Sequence, residues 1–142
     1  MYTSLAQIKE RMPEHILIAL TDDQATGTVG AAVVERAIVD ADAEIDSRLS
    51  NRYTTPVDPV PTLLQRLSLD LAIEIIYSNR PDVETPEAIV RAAKNARQLL
   101  VDIGSKRADL PGQAEATTPT AASGASFSAS GRLFSRATLR GM

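Results

Sequence analysis

Between about Thr28 and Ser50 the apolar residues Val34, Ile38, Ala41, Ile45 and Leu49 recur at intervals of three and four, the period of an α-helix. A long helix with one apolar stripe gains its stability from tertiary packing, so this stretch commits the chain to burying the stripe against other elements. The rest of its circumference carries Glu35, Arg36, Asp40, Asp42, Glu44, Asp46 and Arg48. Glu44 and Arg48 form a favourable i,i+4 pair, whereas Asp42 with Asp46 and Asp40 with Glu44 repel at the same spacing. Acids left without a cation predict a surface that meets a partner; a solvated helix side is the plainer alternative.

The remaining periodicity is also helical. Thr3 or Ser4 caps a short helix to about Met12, with Leu5, Ile8 and Met12 on one side, and Pro13 ends it. A second short apolar piece, 16–20, stops at Thr21-Asp22-Asp23, and Gly27 and Gly30 bracket a polar loop. After Asn51-Arg52-Tyr53, the prolines at 56, 59 and 61 predict an extended loop, with Pro61 opening the next helix. That helix buries Leu64, Leu67, Leu71 and Ile75, widened by Leu63, Ile76 and Tyr77, and turns Gln65, Arg66, Asp70 and Glu74 outward. Thr85-Pro86-Glu87 predicts a capped start for a last helix, with Ile89, Ala93, Ala96, Leu100 and Ile103 on one face and Gly104 as its stop. No period-two run interrupts this pattern. The fold class is all-α: a small helical bundle with one long amphipathic helix, an extended proline-rich loop and a long C-terminal tail.

Composition changes sharply near residue 110. Residues 1–115 hold all 18 acidic and 12 of the 15 basic side chains, whereas 116–142 hold three arginines and no acid. From Gly112 to Gly131, 17 of 20 residues are Gly, Ala, Ser, Thr or Pro, too little apolar surface to offset the roughly 1–2 kcal/mol of backbone entropy per ordered residue. The expected organisation is a helical domain over 1–110, a flexible linker over 111–131 and a basic, apolar docking segment over 132–142. In that last segment Arg132, Arg136 and Arg140 share one side of either a helix or a strand, beside Leu133, Phe134 and Leu139. A tethered segment of this kind suits a partner's groove or sheet edge; a frayed terminus is the alternative.

Catalysis is poorly provided for. The chain has no Cys and one His, so thiolate sites, imidazole clusters and the usual nucleophilic triads have no parts. The run Asp40-Ala41-Asp42-Ala43-Glu44-Ile45-Asp46 is the one cluster resembling two-metal machinery, but alternate helical residues lie about 200° apart, which divides the acids between two sides. His15 has no evident partner, and the glycines near 27–30 lack the spacing and Lys-Ser/Thr ending of a phosphate loop. The expectation is no enzyme, no catalytic residue, no metal and no cofactor. No apolar run approaches the roughly 20 residues of a membrane span, and no signal peptide is expected at the start. The acidic body argues against tight DNA binding, although a DNA-packaging or regulatory helical DNA-binding protein stands as the alternative function.

Tyr2 with Leu5, the segment Ala41-Asp42-Ala43-Glu44-Ile45-Asp46-Ser47-Arg48-Leu49 running into Arg52-Tyr53, then Pro56 and Val60-Pro61, resembles the Mu-like phage and prophage family of small neck proteins. Gly104-Ser105-Lys106 and Arg132-Leu133-Phe134-Ser135-Arg136 extend the resemblance towards the end of the chain. It implies a structural head-tail connector, or adaptor, made in the bacterial host cytoplasm and residing in the virion neck. The implied partners are further copies of the chain, in a ring of about twelve, the portal protein, a downstream stopper or tail-terminator protein, and DNA passing through the lumen without sequence-specific binding. No membrane is implied. Asp42, Asp46, Arg52 and Tyr53, together with Arg132, Leu133, Phe134, Arg136, Leu139 and Arg140, are the expected partner-binding residues.

Overall fold

Five helices and no strand make up residues 1–116, the part of the chain that the computed structural model describes. They are α1 (Leu5–Arg11), α2 (Glu14–Thr21), α3 (Ala31–Leu49), α4 (Thr62–Ser78) and α5 (Glu87–Gly104). α4 is the central element. It packs against both α3 and α5, which also touch each other, while α1 and α2 each contact α3 and α4. Its sequence explains the position: Leu67, Ser68, Asp70, Leu71, Ala72 and Ile73 are all buried, so its middle is enclosed nearly all round. α5 buries only the stripe Ala93, Ala96, Leu100 and Ile103, and α3 buries the expected one, joined by Ala37. Ile75 and Ile89, expected in the stripes, are half-buried at their edges.

The helix starts follow two rules. Ser4 caps α1 in a capping box: its hydroxyl accepts the Gln7 amide at 3.4 Å while Gln7 Oε1 accepts the Ser4 amide at 3.0 Å. α2, α4 and α5 instead begin directly after Pro13, Pro61 and Pro86, which have no amide N–H to leave unpaired and whose carbonyls accept the first helical bonds. Thr85 therefore makes no cap: Pro86 holds the N-cap position, and no side chain caps α5.

Three further expectations are corrected. α3 starts at Ala31, three residues later than the sequence suggested, because Gly30 is pressed against α2: a Cβ there would lie 2.2 Å from the Thr21 carbonyl oxygen. α5 stops at Gly104, as expected. This glycine is the last helical residue, needed because a Cβ would lie 2.7 Å from the Arg48 carbonyl oxygen of α3, and the positive φ of 65° falls on Lys106. The 54–61 loop bends instead of running extended; its Thr55-Pro56 and Asp58-Pro59 bonds are cis, and Val57 is buried. Asp70, expected to face outward, is buried near Arg11 and Arg66, each 3.9 Å away.

Candidate interaction surfaces

The 200° rule divides the acids of α3 as expected, and the structure gives three of them partners inside the chain. Asp42 accepts the Tyr2 amide at 2.9 Å and the Ser68 hydroxyl at 2.7 Å. One turn on, Asp46 accepts the Tyr2 hydroxyl, whose oxygen in turn accepts the Val57 amide at 2.9 Å. The Tyr2 ring is thus buried between α3 and the proline loop. Burial, then the bond to Asp46, push its phenol above its ordinary range, so it stays a neutral donor beside two like-charged acids. On the other side Glu44 meets Arg97 of α5, at 2.9 Å from Nε, and Arg97 Nη2 reaches Glu74 of α4 at 2.6 Å. Burial alone would raise the Glu44 carboxyl; the bonds to Arg97 and Arg48 outweigh it and hold the group below its usual range. Asp42 and Asp46 are accordingly structural acceptors and not the free acids that the charge pattern suggested. Glu35 and Asp40 are the α3 acids left exposed.

Arg52 and Tyr53 are also turned inward, against the expectation that they meet a partner. Arg52 follows the end of α3, and its guanidinium donates to the Ile103 carbonyl at 2.8 Å, the Ala108 carbonyl at 2.6 Å, Glu115 at 2.7 Å, and Asp109. It lies 5.1 Å from the centre of the Tyr53 ring, and the Tyr53 hydroxyl accepts the Leu110 amide at 3.1 Å. A fork with five donors fixed in a plane is what lets one side chain hold a helix end and two carboxylates together. The bond to Asp109, ahead of that to Glu115, raises the Arg52 guanidinium, and Arg52 followed by Lys106 lowers the Glu115 carboxyl.

The outcome is a strap over 105–116. Leu110 is buried, Gln113 donates to the Pro59 carbonyl at 2.6 Å, and the Ala116 amide donates to the Arg52 carbonyl at 2.9 Å. Residues 111–116, assigned by composition to the linker, are therefore bonded to the body through Arg52, Lys106 and Pro59. Composition missed this because two of the anchors, Arg52 and Pro59, are more than fifty residues away in sequence from Glu115 and Gln113. The sequence also gave Tyr2 no role of its own; an aromatic just ahead of a capped helix, matched to an i,i+4 acid pair, was the signal. Arg132, Leu133, Phe134, Arg136, Leu139 and Arg140 lie outside the described residues.

Among the described residues no group of three His, Cys, Asp or Glu side chains is placed to hold a metal ion, and no helix is long and apolar enough to cross a membrane. His15 is exposed. Ala116, the last described residue, is held beside Arg52. No curated protein matches the chain. The family model described as "Bacteriophage Mu, Gp36" matches residues 2–129, which takes in Tyr2, the α3 acids, the Arg52-Tyr53 turn and the strap, and the chain belongs to that phage protein family.

Proposed function

We propose that the chain is a structural subunit of the phage neck, a head-tail connector of adaptor type that assembles as a ring under the portal, with 132–142 as its docking segment. The observation that carries this reading is the strap. Arg52 fixes Ala116 to the body, so everything beyond it issues from one defined place on each copy. Arg132, Arg136 and Arg140, with Leu133, Phe134 and Leu139 beside them, give that segment a basic row and an apolar surface for the portal or a neighbouring subunit. Family membership supports a virion setting, and the acidic charge of 1–115 suits a lumen through which DNA slides without sticking. On this reading the chain is not an enzyme and holds no cofactor.

The test is a chain ending at Ala116, supplied in place of the full chain during particle assembly. It retains the strap and stays folded, and is expected to be missing from purified necks and to leave heads without tails. Normal head-tail joining by the truncated protein overturns the reading.

A further inference from the structure

A groove of about 410 Å³ runs between α4 and α5, with Leu63, Leu67 and Leu99 among its apolar lining and Arg11, Arg66 and Arg91 around it. Its cations are in excess. Among the described residues Arg11 and Arg66 share the one buried Asp70 at 3.9 Å each, and Arg91 pairs with the exposed Glu87 at 3.0 Å. The turn between the same two helices has the opposite character: Asp82, Val83 and Glu84 are all exposed, and none of the three lines the groove. Arg80, the nearest cation in the chain, is engaged elsewhere, donating to the Leu20 carbonyl at 3.1 Å and pairing with Asp23 at 2.7 Å. The tip is therefore an apolar side chain between two acids that no ion pair among the described residues neutralises.

We propose that the Asp82-Val83-Glu84 tip of one copy docks in the α4–α5 groove of the next. Val83 meets the leucines of the floor, and Asp82 and Glu84 meet the arginines of the rim. Tip and groove are different surfaces of one chain, so the contact is heterologous, the kind that closes into a ring when its rotation permits. This rests on the ring reading and names the surfaces through which neighbours would join. Charge complementarity favours a second copy as occupant, because the groove needs acids and the tip supplies two.

The full chain has no cysteine, which permits a clean cross-linking test. Val83→Cys and Ala92→Cys proteins are mixed at about 100 μM, where even a weak contact is occupied, and oxidised. The expected product is the mixed disulfide, well in excess of either homodimer; equal homodimers, or no cross-link, overturn the contact. In parallel, self-association is measured by sedimentation. Asp82→Lys with Glu84→Lys, on an exposed turn that leaves the core intact, is expected to weaken it about tenfold or more, and adding Arg66→Glu and Arg91→Glu to restore it. Multimers unaffected by the swaps overturn this contact but leave the ring reading standing. A parent chain that stays monomeric overturns the contact, and the ring reading is then judged separately by neck incorporation.

Discussion

Tyr2 and Asp46 are 44 residues apart in sequence, yet the phenol of one donates to the carboxylate of the other and so closes the start of the chain onto the middle of α3. The same oxygen accepts the Val57 amide, so one hydroxyl serves two elements. Tyr2→Phe keeps the ring and removes both bonds, leaving a buried amide and a half-buried carboxylate short of a partner. A loss of about 1–3 kcal/mol is expected in chemical denaturation. A double-mutant cycle with Asp46→Asn should show coupling of at least about 0.5 kcal/mol, and strict additivity would count against the bond.

Gly30 and Gly27 separate two reasons for glycine. At Gly30 an added Cβ would lie 2.2 Å from the Thr21 carbonyl oxygen, and the amide donates to Thr21 Oγ1 at 3.0 Å, so nothing there can yield cheaply. Gly27 has open space but a φ of 72°. Gly30→Ala is expected to cost about 2 kcal/mol or more by overpacking, and Gly27→Ala about 1 kcal/mol by backbone strain alone. Thermal melting orders the two, and a reversed order would refute the packing argument.

What was legible in advance was whatever depends on period. The stripe of α3 and that of α5 follow from residues three and four apart, and so do the helix boundaries that prolines mark. What was not legible depends on partners distant in sequence. Asp42 and Asp46 read as a repelling pair until Tyr2 and Ser68 are seen to supply donors, and Arg52 reads as a surface arginine until α5 and the strap close over it. The isolated charge pattern on one helix carries no information about a donor forty residues away.

Arg52→Lys retains the charge and loses the fork. An ammonium cannot serve two carbonyls and two carboxylates spread across the plane of a guanidinium. Amide exchange at Leu110 and Ala116 is expected to speed up about tenfold or more while the α4 amides change little. Protection at Leu110 equal to the parent's would show that the strap holds without Arg52.

Arg97→Met removes the cation that Glu44 and Glu74 share while keeping the stem. Because the site is about one-third exposed, the loss is expected to be modest, about 1–2 kcal/mol at neutral pH. It should also flatten the loss of stability at acid pH, since Glu44 then has less reason to stay ionised.

Stability should fall on both sides of neutrality. Glu44 and Glu115 are held below their ordinary value of 4.5 in the folded chain. The unfolded chain therefore binds protons first, and their contribution, complete above that value, drains away as pH falls through the folded values. Tyr2 is raised above its ordinary 10.0, so its contribution is complete below pH 10 and is lost as pH rises beyond it. Melting temperatures across pH 2–12 test both limbs, and Tyr2→Phe should remove much of the alkaline one.

Two arginines that follow one helix close the end of another. Arg52, after α3, holds the Ile103 carbonyl of α5, and Arg80, after α4, holds the Leu20 carbonyl of α2. A helix end closed by its own next residues can fray alone. Here unravelling the last turn of α5 or α2 means breaking a bond to the connection that leaves a different helix, so local fraying is discouraged in favour of all-or-none opening. A body built this way transmits a pull on its C-terminal strap into α3 and α5 together instead of peeling one turn at a time.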